Sequence, residues 1–274
     1  PVGSFKLRPV GNAVLMRPPA SLSRGIYTAS SGNNAIAVAW MARRLGISAT
    51  AVVPDDAPEA KLEHLRRLDA RIVKVPFAEW WQAITAGAHA SVAGRYIDAV
   101  RDPAALAGTG TAGLEILEEL SELDAIFVPF GGGGLACGIA CAVRGLKASV
   151  KIIACELETA HPLTSAMQAG QPVTMPYDSG FVSGVGFGSI LPEMWPLARE
   201  MIDDTITVSL PEVAQAIRLM AEHNKVIAEG AGAIPVAAAL SGRHEHRRVC
   251  AVVSGGNLGN ELLIRILRGD VPSR

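Results

Sequence analysis

A run of glycines at residues 131–134 is the part of this sequence whose residue types and spacing most directly indicate chemistry. An apolar run at residues 125–130 (AIFVPF) precedes it and predicts a buried strand, and an Ala-rich apolar segment at residues 135–146 follows it and predicts a helix. Because glycine has no Cβ, the backbone can approach a ligand closely there, and the N–H groups at the start of a helix bind anions. The run therefore predicts a phosphate-binding loop, with a flexible turn or a tight packing corner as the alternative.

Two cofactor classes fit this loop. The spacing of Gly131, Gly133 and Ala136 matches the G-x-G-x-x-A pattern of dinucleotide sites, and Glu156 ends the next apparent strand, where a ribose-binding acid belongs. Pyridoxal phosphate would need only a cup for its single phosphate. The glycine run by itself leaves both cofactors open.

Two further polar turns have the same setting. Residues 30–33 (SSGN) and 254–257 (SGGN) each follow a predicted strand and precede a predicted helix. N-capping by Ser31 or Asn33 accounts for the first turn without a ligand. Since parallel strands end at one edge of a sheet, we expect both turns to gather with the glycine loop at that edge, where open α/β sheets bind their ligands.

Lys6 is a candidate base or nucleophile near the start of the sequence. It lies between Phe5 and Leu7, and an ordinary surface lysine is the simplest interpretation from these neighbours alone. An amine acts as a base or nucleophile only when it is unprotonated, and apolar neighbours favour that form.

The elements that must position these groups alternate between strands and helices. Such alternation indicates parallel βαβ units and therefore an α/β fold. Residues 98–111 are predicted to be irregular, and the glycine- and proline-rich residues 170–188 to form a long connector of the kind that is often functional. The further predicted strands are residues 25–30, 49–53, 71–75, 150–155, 205–208 and 249–253, and the further predicted helices are residues 35–45, 57–68, 79–94, 111–120, 161–169, 211–226 and 233–240.

Composition narrows the class of protein. The 274 residues are 49% apolar with a mean hydropathy of +0.29, which indicates a well-packed globular protein. A formal net charge of −1 gives no support to a nucleic-acid surface, and no apolar run is long enough to span a bilayer. Four cysteines in apolar surroundings, without metal-type spacing, predict small buried thiols in a reducing, intracellular compartment. The charged residues 243–248 (RHEHRR) predict a solvated turn rather than a metal site.

Taken together, the motifs resemble one family. GSFKLR at residues 3–8, SSGN, GGGGL, EGAGA at residues 229–233 and SGGN stand in the order and spacing of the serine/threonine dehydratase and serine racemase group of fold type II pyridoxal-phosphate enzymes. The resemblance covers essentially the whole chain and favours pyridoxal 5'-phosphate over a dinucleotide. It implies a two-lobed parallel-sheet α/β architecture of the tryptophan synthase β-like kind, with a small domain at residues 24–100 inserted into a larger one formed by residues 1–23 and 101–274.

The resemblance also implies roles for individual residues. Lys6 would bind the cofactor covalently and remove the α-proton of the substrate, and Ser254 would bond the pyridine nitrogen. The implied cofactor-binding residues are Phe5, Lys6, Asn33, Gly131, Gly132, Gly133, Gly134, Leu135 and Ser254. The implied substrate-binding residues are Ser30, Ser31, Gly32 and Asn33. Ser31 is also a catalytic candidate, because in the resembled racemases a serine at this turn is the second acid/base.

The reaction implied is β-elimination of water from L-threonine, L-serine or a related hydroxy-amino acid, giving a 2-oxo acid and ammonia. A serine on the pyridine nitrogen makes the ring a weaker electron sink, which favours elimination. Serine racemase and a catalytically inactive cofactor-binding protein are the alternatives, and a sulfide-using synthase fits the motifs less well. We expect a cytoplasmic homo-oligomer, a dimer, that acts on a small amino acid and has no nucleic-acid or membrane partner.

The sequence also departs from the pattern of the group. Asn34 and Ile36 stand where histidine and glutamine are usual. Glu156 matches a metal-binding acid of some racemases, but the aspartate expected further on is replaced by Pro162, so no complete metal site is expected. Members of the group carry a longer segment before the lysine, and a fragment or an incompletely represented chain is therefore expected.

Overall fold

Short runs rich in alanine, valine and isoleucine form the strands of the protein, and every strand pairing is parallel in the part of the chain that the structure describes. The computed structural model describes residues 2–57, 59–146, 149–185 and 187–272. The strands are β1 (Ile26–Ala29), β2 (Ala49–Pro54), β3 (Arg71–Val75), β4 (Arg95–Tyr96), β5 (Ala125–Pro129), β6 (Lys151–Leu157), β7 (Asp204–Val208) and β8 (Val249–Ala251).

Helices connect these strands, as parallel pairing requires. They are α1 (Leu7–Leu15), α2 (Asn33–Leu45), α3 (Glu59–Arg66), α4 (Phe77–Ala86), α5 (Pro103–Glu119), α6 (Gly134–Leu146), α7 (Pro162–Ala169), α8 (Trp195–Met201), α9 (Leu210–Leu219), α10 (Gly230–Leu240) and α11 (Asn260–Leu267). A 3-10 turn at Pro19–Leu22 and a π-helical turn at Met220–Asn224 complete the set.

The chain divides into two compact units, Pro1–Gly108 and Thr109–Arg274, with the boundary inside α5. The first unit holds a sheet of order β3-β2-β1-β4, and the second a sheet of order β7-β6-β5-β8. This confirms the predicted α/β class with parallel sheets. The assignment of residues 1–23 and 101–274 to one domain stays a prediction.

Small residues let the helices pack closely on each sheet. In the first unit, β1 is buried along its whole length, and α2 packs its alanine-rich face on it. In the second unit, β5 is likewise buried throughout, and α10 packs against it with a largely buried surface. Alanine and glycine on these helices bring the backbones near the sheet, so the strand ends that carry the polar turns are held by rigid elements.

Most predicted strands and helices are confirmed, with three corrections. The helix predicted at residues 79–94 ends at Ala86, because Gly87 adopts the left-handed conformation that terminates it (φ +62°). The residues predicted to be irregular, 98–111, instead begin α5 at Pro103, since proline is tolerated in the first turn of a helix. The last correction concerns omissions: the prediction lacked the helices α1 and α8 and the two-residue strand β4.

The expectation that all three polar turns share one sheet edge is wrong. The turn at residues 30–33 follows β1, in the sheet of the first unit, whereas the glycine loop follows β5 and the turn at residues 254–257 follows β8. Since β5 and β8 are neighbouring parallel strands, only these last two turns lie at the same edge. No helix in the described ranges has both the length and the apolarity to cross a membrane.

Candidate active site

The backbone conformation of the glycine loop between β5 and α6, and its close contact with Gly184, require glycine at two positions. Gly133 has a φ of +90°, which side chains rarely adopt, and it accepts the Cys137 N–H at 2.9 Å to close the first turn of α6. A Cβ on Gly131 would come well under 3.0 Å from the carbonyl oxygen of Gly184. By helix geometry, the first N–H groups of α6 have no acceptor inside the helix. The loop therefore presents free donors at a helix start, which suits an anion.

The thiols of the second unit lie in surroundings that disfavour the thiolate form. Burial raises the pKa of Cys137 to about 12, and burial also raises the pKa of Cys155 and of the half-buried Cys250. Cys141, however, is exposed, which corrects the prediction that all four thiols are buried. Its pKa is also raised, first by desolvation and then by the charge of Glu200.

Ser254 follows β8 and is only 5% exposed. Its turn packs backbone to backbone on the EGAGA stretch: the Glu229 N–H donates to the Gly255 carbonyl at 3.0 Å, and a Cβ on Gly232 would lie 2.6 Å from that same oxygen. The glycine of EGAGA is thus needed for close packing that fixes Ser254. Ser254 is thereby held just after β8, with its short hydroxyl side chain largely shielded from solvent.

The turn at residues 30–33 is built differently. Gly32 is the N-cap residue of α2, so neither Ser31 nor Asn33 occupies the N-cap position. The Ser30 hydroxyl accepts the Gly32 N–H at 3.2 Å. A Cβ on Gly32 would meet nothing within 4 Å. The start of α2 is therefore open to a small ligand and offers it the donors of a helix N-terminus.

A polar network that the sequence analysis missed supports this turn from below. Asn34 Nδ2 donates to Thr28 Oγ1 at 2.8 Å, and Thr28 is 1% exposed. The Tyr96 hydroxyl bonds to Thr28 and to the Ala29 backbone, while burial raises the pKa of Tyr96 to about 12, so the phenol is neutral. Asn34 Oδ1 is buried and has no hydrogen-bond partner in the described part of the chain. The signals that could have revealed the network were two polar side chains in strand segments, the hydroxyl of Thr28 and the phenol of Tyr96.

Lys6 stands at the N-terminal end of α1 as its N-cap residue and is half-buried. Its Nζ lies 4.8 Å from the centre of the Phe5 ring. Helix α1 is fixed in the first unit, because Asn12 Nδ2 donates to the Ala104 carbonyl at 2.7 Å and a Cβ on Gly108 would collide with the α1 backbone. The amine is thus carried by a rigid helix, as a catalytic group requires.

Glu156, near the end of β6, is a fully buried carboxylate that binds the start of α7. Its Oε1 accepts the Leu163 N–H at 2.9 Å, and its Oε2 accepts the Thr164 N–H at 2.8 Å and the Thr164 hydroxyl at 2.7 Å. Burial raises the pKa of Glu156 to about 7, and these hydrogen bonds oppose the rise.

Metal ligands do not cluster in the described ranges: no three histidine, cysteine, aspartate or glutamate side chains are placed to hold an ion. The turn at residues 243–248 is mostly exposed, as predicted, and its two histidines are half-buried. The ring of His244 stacks on His246 with centres 6.0 Å apart, and Phe127 meets the same His244 ring edge-on at 4.9 Å.

A family model described as pyridoxal-phosphate dependent enzyme matches residues 1–255 of the chain. The chain belongs to this family. Serine racemase from Oryza sativa subsp. indica is 33% identical over 272 residues, which span 93% of this chain and 78% of the rice protein. L-threonine ammonia-lyase from Geobacter sulfurreducens is 35% identical over 261 residues, 93% of this chain and 64% of that enzyme. The solved structure of maize serine racemase superposes with a TM-score of 0.86 at 31% identity, covering 97% of this chain and 83% of the maize chain.

These similarities confirm a pyridoxal-phosphate enzyme of the serine/threonine type and its fold type II architecture. Racemases and ammonia-lyases are similar to this chain at nearly equal identity, so the reaction is not decided by them. The dinucleotide alternative is wrong. Both oxygens of Glu156 are occupied by α7, so the carboxylate does not serve as a ribose ligand.

The residues present fit the cofactor. A phosphate needs a cup with free N–H donors and no side chains, and the glycine loop has both features at Gly131 and Gly133. The predicted residues are divided between the units: Phe5, Lys6 and residues 30–33 in the first, and residues 131–135 and Ser254 in the second. Their individual roles toward cofactor and substrate stay predictions.

Proposed function

We propose that this enzyme catalyses β-elimination of water from L-threonine, L-serine or a related hydroxy-amino acid, giving a 2-oxo acid and ammonia. The observation that carries the proposal is Ser254, a buried neutral hydroxyl just after β8, in a turn that packs closely on the EGAGA stretch. A hydroxyl beside the pyridine nitrogen does not hold a proton there as a carboxylate would. Such a neutral partner would favour prompt loss of the β-hydroxyl over return of a proton to the α-carbon.

Bound pyridoxal phosphate supplies the electron sink for negative charge at the substrate α-carbon. The protein's part is binding, orientation and proton transfer. Lys6 holds the cofactor and takes the α-proton, with Phe5 against its side chain and α1 as its rigid support. The N–H groups of residues 131–135 would bind the phosphate, and Asn33 would help to hold the cofactor.

The turn at residues 30–33 binds the substrate carboxylate. This assignment is supported by the open start of α2. The helix N–H groups there favour an anion, and Gly32 leaves room for a carboxylate. The hydroxyl of Ser30 accepts the Gly32 N–H, so it shapes the turn, whereas Ser31 lies one residue before the N-cap position of α2.

Serine racemisation is the second candidate, and Ser31 favours it. A racemase needs an acid/base on each face of the substrate. Ser31 is half-buried and lies just before the N-cap residue Gly32, and we assign it that second role in the racemase alternative. We favour elimination because Glu156 is committed to α7 and because the residue after Asn33 is asparagine, whose side chain is engaged with Thr28.

Incubation with L-serine in heavy water separates the two functions. We expect pyruvate to accumulate well ahead of deuterated D-serine, and 2-oxobutyrate to form from L-threonine. If D-serine appears faster than pyruvate, the enzyme is a serine racemase. In the matched control Lys6→Ala, both products should be absent, and borohydride should fix the cofactor onto Lys6 in the unmodified enzyme alone.

We also propose that the enzyme is a cytoplasmic homodimer. Exposed apolar side chains at and beyond α11 (Ile264, Leu267 and Val271) support association, because exposed apolar groups gathered on a surface often mark an interface. Light scattering of the purified protein tests the assembly: a monomer mass at micromolar concentration contradicts it.

A further inference from the structure

Helix α7 lacks the usual means of satisfying its own N-terminus. Its N-cap residue, His161, makes no side-chain capping bond, and Pro162 at the first helical position has no N–H. The first bond inside the helix runs from the Ser165 N–H to the His161 carbonyl at 3.1 Å. The remaining donors of this turn are the N–H groups of Leu163 and Thr164, and Glu156 accepts both. The carboxylate on β6 therefore serves as the cap of α7.

A divalent cation does not fit this arrangement. Hard cations such as Mg²⁺ and Ca²⁺ need about six or more oxygen ligands, usually with more than one carboxylate. Here the Glu156 oxygens face N–H and O–H donors, and the residue six positions on is Pro162, which has no side-chain oxygen. The rest of the described chain places no group of three ligating side chains anywhere.

Helix α7 and the residues before it are bonded to the connector that follows. The Asp178 N–H donates to the Thr159 carbonyl at 3.0 Å, just after β6. Within α7, the Ser165 hydroxyl contacts Met175 Sδ at 3.5 Å. The position of the connector thus depends on where α7 begins.

The same connector contacts the glycine loop. The carbonyl of Gly184 lies so close to Gly131 that there is no room for a Cβ between them. We propose that Glu156 is a positioning residue for this loop: its carboxylate fixes the start of α7 without a divalent cation, and α7 and the connector in turn hold Gly184 against Gly131. Only the last step, that the positioned loop holds the cofactor phosphate, rests on the proposed function.

The first test is cation binding to the holoenzyme. Titration with Mn²⁺ alone, followed by electron paramagnetic resonance, should show no saturable site at submillimolar concentration, and Mg²⁺ or Ca²⁺ should leave the Tm unchanged. One Mn²⁺ bound per chain in the wild type and none in Glu156→Gln would overturn the proposal.

The second test is retention of the cofactor, measured as its rate of loss from the holoenzyme during dialysis. Glu156→Gln places an amide NH₂ against N–H donors, and we expect loss at least about tenfold faster, as for a lost charge-assisted hydrogen bond, with unchanged circular dichroism. Thr164→Val removes one of the three bonds and should give an intermediate rate. Thr164→Ser keeps that bond and should restore the wild-type rate.

A folded Glu156→Gln protein that keeps its cofactor as the wild type does would refute the positioning role. If Glu156→Gln does not fold, Thr164→Val decides in the same way, since a wild-type release rate there also refutes the proposal. Both readouts are independent of turnover. Failure of the proposed reaction would appear as absent oxo acid, with cation binding and cofactor release unaffected.

Discussion

The glycine loop at residues 131–134 and the polar turn at residues 30–33 both join a parallel strand to a helix, but the protein constrains them differently. At Gly131 a Cβ would collide with a backbone carbonyl, and Gly133 adopts a positive φ. At Gly32 a Cβ would meet no atom within 4 Å, and φ is −112°, outside the left-handed region. The fold itself requires glycine in the loop, whereas nothing within the first unit requires it in the turn.

Because of this difference, substitutions in the loop and in the turn should affect different properties, stability in the first case and ligand binding in the second. In the loop, the glycines that would bind the phosphate also allow the connector to pack, so a substitution there affects stability and cofactor together. In the turn, the space in front of Gly32 is left open, and a substitution there can report on the substrate alone. Comparing variants at the two positions therefore tests whether the turn is shaped for a ligand.

The largest effect is expected for Gly131→Ala. Its Cβ would press on the Gly184 carbonyl, which is backbone and not a movable side-chain end, so the free energy of unfolding should fall by about 1–3 kcal/mol. Urea unfolding measures the loss, and the cofactor content of the purified protein should fall with it. Gly145→Ala in α6 is the matched control: nothing lies within 4 Å of its added Cβ, and a helical alanine should be neutral or stabilising. If Gly131→Ala and Gly145→Ala are equally stable, then packing against Gly184 does not require glycine at position 131.

Gly32→Ala should have a smaller effect, and on a different quantity. We expect KM for L-threonine to rise by about tenfold, the equivalent of about 1.4 kcal/mol, because the methyl group enters the space proposed for the carboxylate. The free energy of unfolding should fall by no more than about 1 kcal/mol, since alanine is a poorer N-cap than glycine. Steady-state kinetics and urea unfolding of the same preparation measure both. An unchanged KM would place the carboxylate elsewhere.

The sequence was informative where local pattern decides the structure and uninformative where distant residues decide it. The strand–glycine–helix unit around residues 131–134 was predictable because strand, loop and helix are contiguous. The first half of helix α5 was predicted to be irregular because of Pro103 and its glycines and threonines. A glycine there instead allows tight packing, since a Cβ on Gly108 would collide with the Arg8 carbonyl. Gly113, in the half that was predicted helical, packs similarly, 3.0 Å from the Ile139 carbonyl for an added Cβ. Neither partner is near in sequence.

Glu156 shows the same limit in the candidate site. An acid at the end of a strand suggested a ribose or a cation, because the sequence does not reveal which donors face it. The structure places two backbone N–H groups and a hydroxyl there instead. The partners of Thr28 and Asn34 below the turn were equally hidden, since their meeting depends on how α2 packs on β1.

The smallest effect is expected for Asn34→Ala, and it tests whether the side chains of the turn region serve the fold. The substitution loses the bond from Asn34 Nδ2 to Thr28 Oγ1, but it also removes the buried Oδ1 that has no partner in the described residues. These effects oppose each other, and alanine is the better helix former, so stability should stay within about 0.5 kcal/mol of the wild type.

Thr28→Val is the matched variant, because it keeps the shape of the side chain while it leaves the Asn34 amide and the Tyr96 hydroxyl short of a partner. It should cost about 1–3 kcal/mol, the range for buried groups left unsatisfied. Urea unfolding of both proteins without substrate gives the comparison. If Asn34→Ala proves as destabilising as Thr28→Val, then Asn34 is held there by the fold, and this turn resembles the glycine loop after all. If Asn34→Ala leaves stability unchanged while kcat/KM falls, we infer that the buried Oδ1 serves the substrate. A buried acceptor without a partner costs the fold free energy, so its use would be to accept a hydrogen bond from a bound ligand.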